Sequence, residues 1–367
     1  MNNFKVAHSE LKDTAQAVKS IKEQLSDVDA CMVLYFASTS YPVETVSKEM
    51  AGAFAGIRTV GCTTAGEQVT GKIGQNSIVA MAWHKNSLMD LKIEVLENIK
   101  TDEEVVSKAF KSFEQSLGKS MRDLDPTQYV GIVLIDGLSG CEEKINDKLG
   151  NLTNVLFVGG SAGDDFKLQK TYLFADGKTY TNAAVLLLLK PTNGYAILKT
   201  QSFTSTDKKL TPTKVDEARR MVVEFDGKPA SEAYAEALGV SVDDLPSKFT
   251  DYPLGLVFDE HNTFIRSGKE IENSSVSFYC LVKEGLELTV QRSSDIVADT
   301  SADLKEHGEL KAVVDFNCAQ RFLSLRNMNQ LEEYMKIFGN IPVIGFATYG
   351  ESYIGHINQT STMLLLK

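Results

Sequence analysis

The stretch VGCTTAGE, residues 60–67, follows the apolar run IRTV and places two glycines, small and hydroxyl side chains and one acid in eight residues. The same order recurs twice. VGGSAGDD occupies 158–165 after the run NVLFV, and IGFATYGE occupies 344–351 after NIPVI. Three related loops in one chain indicate a duplicated building unit.

Working outward, each loop has the same neighbours. ACMVLYFAS (30–38) reads as a strand, and PVETVSKEMAGAF (42–54) as a helix with Val43, Val46, Met50 and Phe54 on one face and Pro42 at its start. YVGIVLIDG (129–137) and CEEKINDKLG (141–150) repeat the pair, the helix closing on glycine. KAVVDFNC (311–318) and the long helix AQRFLSLRNMNQLEEYMKIFG (319–339) repeat it again. Downstream, Asn76, Asn182 and Asn358 introduce the apolar runs SIVAMAW, AAVLLLLK and TSTMLLLK. The unit is strand, helix, strand, glycine-acid loop, strand. Its first two strands should pair in parallel and its last should return antiparallel, giving mixed sheets. MVVEFDG (221–227), KPASEAYAEALG (228–239) and LGLVFDE (254–260) have the order of a fourth, degraded copy without the loop.

Residues 9–28 carry a helical face of Leu11, Ala15, Val18, Leu25 and Val28. TDEE at 101–104 has the pattern of a capping box before VVSKAFKSFEQSLG. LKIEVLE, GYAILKT, VSFYCLV and LELTVQ read as strands, and the polar TSTDKKLTPTK (204–214) as a domain junction. The expected fold is therefore α/β (mixed α+β), with helix-covered mixed sheets in two pseudo-equivalent halves, residues 1–210 and 211–367.

The 367 residues carry a net charge of −11 without a long basic run, which argues against nucleic acid or anionic lipid as a main partner. The most apolar run, AAVLLLL (183–189), is too short to span a bilayer and fits a buried strand. The N-terminus MNNFKVAHSELKDTAQ lacks a signal-peptide core. Cys31, Cys62, Cys141, Cys280 and Cys318 are widely spaced, which suits reduced thiols in a cytoplasmic protein.

Ligands in α/β sheets sit beyond the carboxyl ends of parallel strands. The glycine loops lie there, as do the turns STSYP (38–42), DGLSGC (136–141) and NCAQR (317–321). Gly61, Thr63, Thr64, Gly160 and Ser161 offer backbone N–H groups and hydroxyls to a ligand. Arg321, in the first turn of its helix, can grip a carboxylate. Glu67, Asp164, Asp165 and Glu351 can bind an ammonium group, and Tyr349 can line the pocket. The alternative is architectural: such loops turn the chain and their acids cap backbone N–H groups.

Two enzymatic readings compete. Gly159–Gly163 matches GxSxG around Ser161, but a nucleophile elbow must enter a helix, and DDFKLQKTYLFADGKTY reads as strand, Asp-Gly turn, strand. His261, His307 or His356 would supply its base. Cys318, at a helix start near Arg321, is the candidate thiolate. The five histidines show no metal-binding spacing. Trp83 is a further pocket candidate.

Taken together, GCTTAGE, DGLSG and GGSAGDD resemble the FIST N-terminal domain. VVEFDGKPASEAYAEALG, Cys318-x-x-Arg321, GFATYGES and NQT before the last strand resemble the FIST C-terminal domain. The likeness runs from about residue 30 to the end of the sequence. It implies a sensory module that binds a small ligand such as an amino acid and works with a signalling partner such as a histidine kinase. No kinase, receiver or cyclase-like segment is legible, so output is expected through a separate protein. Some relatives bind haem and sense nitric oxide, which needs an axial ligand, usually His. The family places a His directly before the C-terminal Asn. Here Ile357 stands there, and His356 lies one residue earlier, on the opposite face of a strand. His356 is the candidate if haem binds; otherwise no cofactor or metal is expected.

Overall fold

The structure, a computed structural model, describes residues 3–259 and 262–367. The chain is built from three units. The first comprises β1 (Phe4–Ser9), α1 (Thr14–Gln24), β2 (Ala30–Ala37), α2 (Val43–Ala53), β3 (Arg58–Thr63), a hairpin of β4 (Glu67–Val69) and β5 (Lys72–Gly74), and β6 (Ile78–His84). The second repeats it as β7 (Leu88–Glu97), α3 (Val105–Leu117), β8 (Val130–Ile135), α4 (Glu142–Leu152), β9 (Phe157–Ser161), a hairpin of β10 (Leu173–Ala175) and β11 (Lys178–Tyr180), and β12 (Ala183–Pro191).

The third unit opens with β13 (Tyr195–Gln201) and is then interrupted by an insert. The insert holds β14 (Phe203–Leu210), β15 (Pro212–Asp216), β16 (Met221–Phe225), β17 (Lys228–Pro229), α5 (Ala230–Leu238), β18 (Leu254–Val257), β19 (Thr263–Arg266), β20 (Gly268–Glu272), β21 (Ser275–Phe278) and β22 (Leu288–Ser293). The unit resumes with α6 (Ile296–Lys305), β23 (Ala312–Cys318), α7 (Ala319–Asn327), α8 (Leu331–Lys336), β24 (Val343–Thr348), a hairpin of β25 (Glu351–Tyr353) and β26 (Gly355–Ile357), and β27 (Thr360–Leu366).

In every unit the strands flanking the second helix pair in parallel: β2 with β3, β8 with β9, β23 with β24. The closing strand returns antiparallel on the other side of β2, β8 or β23. The mixed, helix-covered sheets of repeated units are as the sequence predicts. The hairpins add something it did not. Each leaves its own sheet and completes another: β10–β11 extends the first sheet from β3, β25–β26 the second from β9, and β4–β5 the third from β24. The exchange closes on itself, so the three sheets form a ring locked by main-chain hydrogen bonds.

Alternation along the strands explains the arrangement. Met32, Leu34 and Phe36 of β2, Val130, Ile132 and Leu134 of β8, and Ala312, Val314 and Phe316 of β23 share one central core. The intervening residues face helices: Val33 and Tyr35 meet α1 and α2, Val133 and Ile135 meet α3 and α4, and Val313 lies against α6 and α8. Strands buried on both faces read as unbroken apolar runs, which is why AAVLLLL has no polar alternation.

Several expectations are corrected. The three repeated units that the sequence shows are present, but the third is split by the insert. The proposed fourth copy does not exist: β16 and β18 lie in different sheets of the insert, a five-stranded and a four-stranded one. Residues 204–214 are not a junction but most of β14 and the start of β15. The helix over 319–339 breaks into α7 and α8 at Asn329, whose φ is 57°. Helix α4 runs through Gly150 to Leu152. Residues 4–9 form a strand before α1, whose N-cap is Asp13. No capping box forms at 101–104; the Glu104 N–H donates to Asp102 instead.

Candidate functional site

The three glycine-acid loops meet. The Gly163 and Asp165 N–H groups donate to the carbonyls of Thr63 and Thr64, Ala65 N–H to Ala347, Ala347 N–H to Gly66, Ser161 N–H to Gly350, and Tyr349 N–H to Ser161. Their glycines permit this contact. Gly61, Gly159 and Gly345 occupy equivalent places opposite Tyr35, Val133 and Asp315 of the parallel strand. A Cβ there would lie 1.7, 1.8 and 2.3 Å from the carbonyl oxygens of those residues. Gly160 is packed against Thr348, and a Cβ on Gly163 would lie 2.6 Å from the Ala65 nitrogen.

The acids serve the backbone. Glu67 accepts from the Thr64 hydroxyl and from the N–H and hydroxyl of Ser77, the latter at 2.9 and 2.8 Å. Glu351 does the same toward Thr360, at 3.1 and 2.8 Å. Burial raises the pKa of each to about 8. Register shows that Leu173, not Asp164 or Asp165, is their counterpart in the second unit: Glu67, Glu351 and Leu173 pair with Phe346, Gly160 and Cys62, the residue after each first glycine. The second loop is longer, and Asp164 holds it by accepting the N–H groups of Leu168, Gln169 and Lys170. Asp165 accepts from Ser38 and Thr39, in the first helix-entering turn. Thr63 exchanges hydrogen bonds with the backbone of Tyr172.

A cavity of about 450 Å³ lies where the second and third units face the insert. Gly137 and Leu138 follow β8, Cys318 and Thr348 end β23 and β24, and Ala319 and Gln320 open α7, so the wall is made of parallel strand ends and helix starts. Neither α4 nor α7 has a side chain capping its first turn. Phe166, Leu168 and Leu323 supply apolar surface on this side, and Phe278 and Tyr279 on the insert side. Arg219, Arg220 and Lys269 stand with Glu142, Glu270 and Glu272 around it. Arg220 is committed: it bonds Glu142 at 2.7 Å, Glu143 at 2.5 Å and the Tyr279 carbonyl at 2.9 Å. Arg219 pairs with Glu272, and Lys269 with Glu270, in more exposed contacts.

Of the residues the sequence singled out, Cys318 and Tyr349 line this cavity, the Tyr349 hydroxyl donating to Asp164 at 2.5 Å. Arg321 does not. It is buried, donating to Asn317, Ser202 and Thr300. Trp83 belongs to the central core, edge-on to Phe4. Burial, with the Glu351 carboxylate adding to it, drives the Cys318 thiol well up, opposite to the lowered value of an activated thiolate. The Ser161 hydroxyl faces Glu142 at 3.5 Å. Among the described residues no histidine hydrogen-bonds Ser161 or Cys318; His261 lies outside them. The Nδ1 atom of His356, the haem candidate, meets Glu143 at 3.0 Å, and Nε2 packs against Gly350. The cavity beside it, about 220 Å³, is below the roughly 300–1,000 Å³ of small-ligand pockets.

Sequence reasoning missed Glu142, Arg219, Phe278 and Tyr279. Glu142 was within reach, as the first residue after the DGLSGC turn. The other three come from the insert, and no local signal shows where it folds back.

Among the described residues no helix is long and apolar enough to cross a membrane, and the five cysteines are free thiols. An uncharacterised protein of Methanocaldococcus jannaschii, MJ1623, is 26% identical over 135 residues; these are 37% of this chain and only 24% of that relative's length. Residues 31–228 match the FIST N domain and residues 230–353 the FIST C domain, which together cover nearly the whole chain. These domains are sensory domains of signal transduction that bind small ligands. On these matches, the chain belongs to the FIST family.

Proposed function

We propose that this chain senses an amino-acid-like molecule or small organic anion in the cavity between the second and third units and the insert. The observation that carries the reading is that cavity itself: about 450 Å³, mostly apolar, at the carboxyl ends of parallel strands. The first turn of α7, which carries no acid and no side-chain cap, favours a carboxylate. Arg219 and Lys269 have exposed acid partners, so a ligand recruits them at small cost. Glu270 and Glu272 suit an ammonium group, and Phe166, Leu168 and Phe278 a hydrocarbon part. A ligand touching both the insert and the body favours their closed arrangement, and that differential affinity is the signal. Output passes to a separate signalling protein such as a histidine kinase. Five unpaired thiols suit a reducing, cytoplasmic setting.

Thermal unfolding against a panel of amino acids, small carboxylates and nucleotides tests this. A ligand at a hundred times its Kd adds about 2.7 kcal/mol. That moves the midpoint by several degrees, at roughly 2–4 °C per kcal/mol or somewhat less in a chain this long. A selective shift that disappears in the Arg219→Ala/Lys269→Ala variant supports the site. No shift across the panel, or one unchanged in that variant, overturns it.

A further inference from the structure

Outside the ligand cavity, three metal-binding side chains from distant parts of the chain come together. Glu143 lies in the first turn of α4, Cys280 follows β21 in the insert, and His356 is the middle residue of β26. A carboxylate oxygen, the thiol sulfur and an imidazole nitrogen all lie within 4.8 Å of one another. Cys280 is fully buried and His356 is 4% exposed. We propose that Glu143, Cys280 and His356 form a binding site for a divalent ion of the zinc class.

Four features support it. The donor set is one thiolate, one imidazole and one carboxylate, a borderline-soft combination that suits zinc. The two anionic ligands balance the ion's charge. The imidazole is already oriented, with Nδ1, 3.0 Å from a Glu143 oxygen, turned toward the cluster as the coordinating atom. Metal–ligand bonds of roughly 2.0–2.3 Å then require only small side-chain adjustments from the present separations.

The surrounding contacts fix the ligands, as outer partners do in metal sites. Arg220 holds the second oxygen of Glu143, and the Leu281 N–H donates to the first at 2.9 Å. The Arg220 charge is offset by Glu142, which it also binds. The Asn358 amide oxygen, 2.9 Å from the Cys280 sulfur, is placed to be a fourth donor.

The ion would clasp the insert to the ring. It would also brace the cavity wall, because Phe278 and Tyr279 immediately precede Cys280, Glu142 precedes Glu143, and Asn358 itself lines the cavity. The site stands whether or not the ligand reading does.

The test uses the full chain, stripped with a chelator and titrated with Co²⁺, then Zn²⁺. The expected result is one saturable Co²⁺ site with a thiolate-to-cobalt charge-transfer absorption, displaced by Zn²⁺, and a thermal midpoint that rises on binding. Cys280→Ser should abolish that absorption, whereas Cys31→Ser, on β2, should retain it. His356→Gln and Glu143→Gln should each weaken Co²⁺ binding by about tenfold or more. No saturable absorption in the native sequence overturns the proposal, and this outcome does not depend on any variant folding. Absorption that persists in Cys280→Ser overturns it as well.

Discussion

Alanine at Gly61, Gly159 and Gly345 tests the packing that defines the unit. Each glycine lies in a parallel strand, opposite a carbonyl of its neighbour. The added methyl would lie 1.7 Å from the Tyr35 oxygen, 1.8 Å from that of Val133 and 2.3 Å from that of Asp315. Carbon and oxygen cannot approach so closely, and the obstacle is backbone in the middle of a sheet, not a side chain that can rotate. Relief requires the two strands to part. Overpacking ordinarily costs about 1–3 kcal/mol. Each ladder hydrogen bond weakened by the separation adds about 1 kcal/mol. Gly61→Ala and Gly159→Ala should therefore destabilise by at least about 3 kcal/mol, and Gly345→Ala by less. Gly52, exposed in α2 with nothing within 4 Å of a new Cβ, supplies the control. There the same substitution should stabilise by up to about 1 kcal/mol, because alanine is the better helix former. Urea unfolding followed by circular dichroism measures all four. If Gly61→Ala lies within about 0.5 kcal/mol of the parent, the close-approach account is wrong.

Three further predictions concern charge and thiols. Burial raises Glu67 and Glu351 from 4.5 to about 8, so their stabilising contribution is complete below pH 4.5 and is lost as pH rises through 8. Each should contribute a decline on the order of 5 kcal/mol over that window, and Glu67→Gln or Glu351→Gln should flatten it in unfolding curves taken across pH. Arg220→Ala leaves Glu142 and Glu143 without their cation at the seam between α4 and the insert; a loss of about 3 kcal/mol is expected, with proteolysis accelerating within residues 203–293. Cys62 and Cys318 are buried thiols with raised pKa values, so neither should react with a thiol reagent at pH 8 until denaturant is added; rapid labelling of either in the native protein would contradict the packing.

The sequence by itself determined the repeating unit. Apolar runs bounded by turn signals marked the strands, the Asp176–Gly177 turn marked a hairpin, and the lengths marked AAVLLLL as a strand. It also placed two of the turns that wall the cavity, DGLSGC and NCAQR, because strand and helix ends are local features. What it could not determine was partnership. Hydrophobic periodicity reports that a face is buried, never by which element, and strands of three residues such as β4, β10 and β25 carry too little pattern to name the sheet they join. The hairpin exchange was therefore hidden, and with it the register that makes Leu173 the counterpart of Glu67 and Glu351. The same limit hid Arg321's burial, decided by Ser202 and Thr300, and the approach of Arg219 and Tyr279 to the cavity. It also hid the meeting of Glu143, Cys280 and His356. Each such contact joins residues far apart in the chain, and only the free energy of packing the whole molecule selects it.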